Sequence, residues 1–140
     1  MKYDVAEELR TRVGQIKKRF DHMICQDVAA DEIGMLWYTN EKSPYKAKMI
    51  KTAEYAQALS VPTFVLVVWK KGWDDCKDEA KKDALILHEL MHMGYDAESG
   101  KYSIRKHDVE DFKELINTIG ISWENAKEKL ELLENKKEKK

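Results

Sequence analysis

The chain has 140 residues, of which 43% are hydrophobic and 36% charged, and its formal net charge is -1. This length and apolar content are enough for one domain with a hydrophobic core. The near-neutral charge argues against nucleic acid or an anionic membrane as a partner. The longest strongly apolar run, residues 61–69, is too short to span a bilayer as a helix, and residues 1–20 lack the apolar core of a signal peptide. A cytoplasmic location is therefore expected.

The first predicted element is a helix. Five apolar residues recur at spacings of three and four: Val5, Leu9, Val13, Ile16 and Phe20. This spacing is typical of an amphipathic helix, and we expect it to cover one side of a sheet. The two cysteines, Cys25 and Cys76, form no closely spaced pair and are interpreted as free thiols.

The middle of the chain predicts strands. Residues 33–38 form a short apolar and aromatic run that predicts a first strand, and residues 45–52 alternate enough to predict a second. Residues 54–59 are predicted to be helical or irregular. The clearest strand is 63–69, rich in β-branched and aromatic residues. Two interpretations of it stay open, because it could offer a free edge to an extended peptide or lie buried as an ordinary strand.

The run from Asp83 to Tyr95 predicts a helix that breaks near Gly94 and carries the sequence His88-Glu89-Leu90-Met91-His92. On a helix, positions i and i+4 lie on the same face, so both imidazoles can reach one ion. Glu89 would lie beside that ion and could deprotonate a bound water. This spacing is the H-E-x-x-H zinc motif. Three aspartates ahead of the helix are candidate N-caps: Asp74, Asp75 and Asp78.

A catalytic zinc site usually has three protein ligands, so a third must come from elsewhere in the chain. After a polar turn or short hairpin at 96–101, His107 is the only histidine downstream of the motif and is the preferred candidate. It precedes a predicted helix that ends at Gly120. Four carboxylates remain as alternatives: Glu98, Asp108, Glu110 and Asp111.

Two regions are expected along the chain. Residues 1–122 form one domain, and residues 123–140 form a charged helical tail with a lysine-rich end. The sequence contains no internal repeat or heptad array that would predict an oligomer.

Three stretches resemble the phage-type metallopeptidases, a family of small zincin-like domains in phages, prophages and bacteria. They are Phe64 to Trp69, the motif His88 to His92, and the run His107 to Phe112. The resemblance implies a zincin-like α+β fold, in which a small mixed or antiparallel sheet packs against the N-terminal helix and the metal-binding helix. It also supports His107 as the third ligand. The extended histidine motif of metzincins and the second-helix Glu of thermolysin-like enzymes are absent.

The motif and the resemblance together predict a zinc metalloendopeptidase. In this hypothesis His88, His92 and His107 bind Zn²⁺, Glu89 is the catalytic base, and the substrate is a peptide or protein in a bacterial or phage-infected cell. Three residues are candidate donors to the developing oxyanion: Tyr95, Tyr102 and Arg105. The alternatives are a non-catalytic, metal-stabilised binding or regulatory protein with the same fold, and a helical interaction protein without metal.

Overall fold

The computed structural model describes residues 2–105 together with residues 130, 131 and 134. The described helices and strands follow one another in this order: β1 (Tyr3–Val5), α1 (Arg10–Arg19), β2 (Ile33–Tyr38), β3 (Ala47–Lys51), α2 (Glu54–Ala58), β4 (Phe64–Trp69), α3 (Lys70–Asp75), α4 (Glu79–Leu90), β5 (Met93–Asp96) and β6 (Lys101–Ile104). Single 3₁₀ turns at Glu7–Leu9 and Ala30–Glu32 precede α1 and β2. The predicted helix after Lys106 and the domain boundary at 122/123 lie outside the described residues.

Four strands form a mixed sheet in the order β1-β2-β4-β3. The central strands β2 and β4 are parallel, and the outer strands β1 and β3 run antiparallel to their neighbours. The predicted strands at 33–38, 45–52 and 63–69 correspond to β2, β3 and β4. The separate hairpin β5–β6 contains the predicted turn at 96–101, where Gly100 has a φ of +69°. The mixed helix and sheet content confirms the α+β class.

One face of the sheet packs on α1 and α4, and the hydrophobic core lies between these layers. Buried side chains alternate along β2, where Ile33, Met35 and Trp37 point inward. The helix α1 contributes its predicted apolar stripe from Leu9 onward. Val5 was wrongly placed in that helix, because it lies in β1 opposite Leu36 and is 68% exposed. Backbone pairing with a strand about thirty residues away decides the conformation of Val5. The local spacing of apolar residues contains no signal of this pairing.

The strand β4 lies between β2 and β3, so the idea that it offers a free edge is wrong. Its apolar run has the composition of a strand buried on both faces, and Leu66, Val67 and Val68 are each at most 1% exposed. The edge strand on this side of the sheet is β3.

The helix α4 ends at Leu90, four residues before the predicted break near Gly94. Met93 and Gly94 are buried in β5, whose pairing with β6 replaces the last predicted helical turn. His92 therefore lies just after the helix, between α4 and β5. Both cysteines are free, as expected. In the part of the chain that the structure describes, no helix has the length and apolarity needed to cross a membrane.

Candidate metal centre

The helix α4 holds the candidate site against the core. Asp78 caps its start, and a carboxylate oxygen of Asp78 accepts hydrogen bonds from the backbone N–H groups of Ala80 (2.9 Å) and Lys81 (3.4 Å). The face of the helix that packs on the core buries four apolar residues: Ala84, Ile86, Leu87 and Leu90. With the helix anchored at its cap and along this face, the orientation of its last turn is set by packing.

The structure brings His88, Glu89 and His92 together at the end of α4. One possible ligand atom from each residue lies within 4.8 Å of the other two. The ring centroids of His88 and His92 are 5.2 Å apart, and Glu89 Oε1 is 4.0 Å from His92 Nε2. These separations are close enough for the three side chains to surround one ion after small side-chain adjustments.

The orientation of His92 comes from the hairpin. Its Nδ1 lies 2.8 Å from the backbone carbonyl oxygen of Arg105, and Arg105 N–H donates in turn to the carbonyl of His92. Because a carbonyl oxygen can only accept, Nδ1 carries the proton, and in the neutral imidazole Nε2 then keeps the lone pair that a metal requires. A backbone acceptor behind a ligating imidazole is the usual support of a metal-binding histidine.

Glu89 is the one buried charged side chain of the described residues, at 5% exposure. Burial raises the pKa of its carboxyl group from 4.5 to about 8. Without a cation the folded protein therefore favours the protonated acid at neutral pH. A cation between the histidines would favour the carboxylate, so proton binding and metal binding oppose each other at this residue.

The other predicted site residues are placed as follows. His107 and the carboxylates of Asp108, Glu110 and Asp111 lie outside the described residues. Glu98 is exposed in the β5–β6 turn, where its N–H donates to Asp96, and it is not part of the cluster around α4.

Of the three candidate oxyanion donors, Tyr95 and Tyr102 pack their rings together at 4.7 Å. The third, Arg105, contacts His92 through its backbone carbonyl. Sequence reasoning missed this contribution, since a backbone carbonyl has no residue-type signal and only the register of the hairpin reveals it.

The comparison with protein families agrees with this geometry. The family described as "Putative phage metallopeptidase" matches residues 1–133. The chain belongs to this family. No curated protein and no solved structure matches the chain. Membership of this metallopeptidase family confirms the resemblance noted in the sequence, and it implies a bound metal and a peptide or protein as substrate.

Proposed function

We propose that this member of the phage metallopeptidase family is a zinc-dependent endopeptidase with a zincin-like fold. The observation that carries the proposal is the arrangement of His92, whose Nδ1 contacts the Arg105 carbonyl while its Nε2 lies 4.0 Å from Glu89 and its ring lies beside that of His88. Two imidazoles and an adjacent carboxylate form the donor set that zinc prefers over magnesium or calcium. His107 is proposed as the third ligand, on sequence grounds.

The chain's own residues then have separate roles. His88 and His92 hold the ion, which when bound lowers the pKa of water and polarises the peptide carbonyl. Glu89 accepts the proton of the attacking water and delivers it to the leaving amine, because its carboxylate lies beside the histidines and is shielded from bulk solvent. Arg105 acts through its carbonyl as a positioning residue for His92.

The edge strand β3 is the proposed docking site for the peptide backbone. Lys46 C=O accepts from Trp69 N–H, and Thr52 N–H donates to Thr63 C=O. In an antiparallel pair the hydrogen-bonded residues alternate, so residues 46, 48, 50 and 52 face β4. The backbone groups of Ala47, Met49 and Lys51 then point away from the sheet. An extended substrate can pair with these groups and run alongside α4, which packs against β3.

The deciding experiment compares wild type with Glu89→Gln for zinc content and for cleavage of a peptide library. We expect one zinc per chain in both proteins and a loss of at least about a thousandfold in kcat for the variant, because Gln cannot accept a proton. Full activity of Glu89→Gln would contradict the mechanism. Tight zinc binding without any cleavage by wild type would instead indicate the non-catalytic, metal-stabilised binding protein.

The third ligand is tested by His107→Ala after chelator dialysis and zinc reconstitution. Loss of one of three ligands should weaken zinc affinity strongly, whereas unchanged affinity would transfer the role to a carboxylate. Chelation should also lower the Tm of wild type, because an ion that binds only the folded state stabilises it.

A further inference from the structure

We propose that a cavity beside the start of β3 binds an acidic side chain of the substrate, two or three residues from the cleaved bond. The inference rests on the proposed peptidase function and names its preferred class of substrate. The cavity has a volume of about 120 Å³ and lies between α3, the first half of α4 and the residue that precedes β3. Three lysines and three less polar side chains line it: Lys46, Lys81, Lys82, Trp73, Cys76 and Leu85.

Among the described residues no carboxylate lines this cavity, although one of its lysines, Lys82, has a carboxylate partner outside the lining. Two nearby acidic side chains of α4 both have Arg12 as a partner. Asp83 pairs with Arg12 at 2.6 Å, and Glu79 pairs with Arg12 and lies 3.9 Å from Lys82. An incoming carboxylate would therefore meet the ammonium groups of Lys46 and Lys81, which form no ion pair within the described residues.

The apolar wall fits the stem of a glutamate. Trp73 is held in place by its ring contact with Trp37, at 5.9 Å between centroids. Lys82 Nζ and the guanidinium of Arg12 lie 5.0 and 5.3 Å from the centre of the Trp73 ring. The methylene groups of a glutamate can pack on Trp73 and Leu85 while its carboxylate meets the lysines, so a long acidic side chain suits the cavity better than a purely apolar one.

The cavity and the candidate metal centre share one face of α4. Lys81, Leu85 and His88 are half-buried and follow the spacing i, i+4 and i+7 on α4, and the half-buried His92 lies just after the end of the helix. At 1.5 Å per residue, Leu85 and Lys81 are about 5 and 10 Å along the helix from His88. An extended peptide advances about 3.3 Å per residue, so these distances correspond to two or three substrate residues.

The strand β3 runs between the cavity and the side of the molecule that carries the candidate metal centre. It begins beside the cavity at Lys46 and ends at Lys51, which pairs with Phe64. The Phe64 ring packs edge-on against Tyr102 of β6, at 5.8 Å between centroids. The residue that follows β6 is Arg105, which orients His92. A peptide bound along β3 would thus run from the side of the metal centre toward the cavity.

The first test measures kcat/KM for paired peptides that differ only by Glu or Gln at each position around the cleaved bond. We expect a preference of about tenfold for Glu at one position, two or three residues from that bond, which 0.5 M salt should reduce. The variant Lys81→Gln/Lys82→Gln should lose most of this preference. Its matched control is Lys17→Gln/Lys18→Gln, a pair of adjacent lysines on α1 that do not line the cavity. Equal rates for Glu and Gln peptides at every position would overturn the inference.

A second test needs no turnover. In the Glu89→Gln protein, alkylation of the Cys76 thiol is followed by peptide mapping, which separates it from Cys25. The Glu peptide should slow alkylation of Cys76 several-fold more than the Gln peptide does. Equal protection by both peptides would overturn the cavity assignment even if the enzyme is active. Conversely, selective protection without cleavage by wild type would retain the cavity and reject the peptidase function.

Discussion

Glu89 combines a buried position with an ionisable group, and this combination has a consequence for stability. Its pKa is about 8 in the metal-free folded protein and close to 4.5 when the chain is unfolded. Between these two values the folded state binds more protons than the unfolded state. Stability of the metal-free protein must therefore fall as pH rises, in contrast to a salt-bridged carboxylate, whose contribution is lost on acidification.

We expect the free energy of unfolding of the metal-free protein to carry a Glu89 contribution that decreases by about 1.4 kcal/mol per pH unit between pH 5 and 8. The variant Glu89→Gln should lack this contribution and be the more stable protein at pH 8. Urea unfolding at several pH values in the presence of chelator measures this pH dependence. Glu54→Gln is the control, because Glu54 is exposed. The same pH dependence in wild type and Glu89→Gln would show that the carboxyl group is not buried as described.

Gly94 allows the close approach of the two hairpin strands behind His92. A Cβ at this buried position would lie 2.8 Å from Arg105 Cγ and 3.1 Å from Ser103 Oγ. The backbone carbonyl of Ser103 would also lie 3.3 Å from this Cβ, so the added methyl group crowds the backbone of the hairpin whose Arg105 carbonyl orients His92.

The variant Gly94→Ala should lower metal affinity by about tenfold or more, because the methyl group crowds both Arg105 Cγ and the Ser103 carbonyl and so shifts the hairpin that orients His92. Competition with a chromophoric chelator measures this change. Gly14→Ala is the matched control. Gly14 lies in α1, and a Cβ added there would have no atom of another part of the structure within 4 Å. Because alanine favours a helix over glycine, this variant should stabilise the fold by about 0.5–1 kcal/mol and leave metal affinity unchanged. Equal metal affinities in both variants would argue against Arg105 as a positioning residue.

At the scale of elements, β3 has two functionally different sets of backbone groups. One set bonds to β4 and holds the sheet together. The other set belongs to Ala47, Met49 and Lys51 and points away from the sheet, where the described part of the chain supplies no strand to pair with it. Proline distinguishes the two sets because it removes a single N–H donor.

Lys51→Pro should keep the free energy of unfolding within about 1 kcal/mol of wild type, since Lys51 N–H is not used within the sheet, yet weaken peptide binding several-fold. Lys48→Pro loses the same side-chain charge but also a hydrogen bond to β4, and should destabilise the fold by about 1–3 kcal/mol. Chemical denaturation of each proline variant measures the change in stability. Peptide binding to the same variants, made in the Glu89→Gln protein, measures the change in affinity. If Lys51→Pro binds peptide as tightly as wild type, β3 is not the docking edge.

At the scale of the whole molecule, distant parts of the chain converge on α1 and α4. Arg12 and Arg19 of α1 both reach Asp83 of α4, at 2.6 and 3.7 Å, and Arg19 also pairs with Glu134. Leu130 is 2% exposed and belongs to the hydrophobic core. The described residues near the end of the chain therefore contribute to the layer that supports the metal-binding helix.

Leu130→Ala should destabilise the protein by about 2–5 kcal/mol, as expected for truncation of a buried leucine. The neighbouring exposed Glu131→Ala should change stability by less than about 0.5 kcal/mol. Chemical denaturation of both variants gives the comparison. A cost as small for Leu130→Ala as for Glu131→Ala would mean that this part of the chain does not pack into the core.

The sequence by itself determined the features that depend on neighbouring residues. The apolar runs of β2 and β4, the amphipathic stripe of α1, the hairpin turn and the spacing of His88, Glu89 and His92 all follow from local periodicity and residue chemistry. The tertiary structure alone decided the strand β1 at Val5, the central position of β4, the early end of α4 and the carbonyl of Arg105 behind His92. Each of these depends on pairing between segments distant in sequence, whose free energy outweighs local propensity and leaves no periodic signal in either segment.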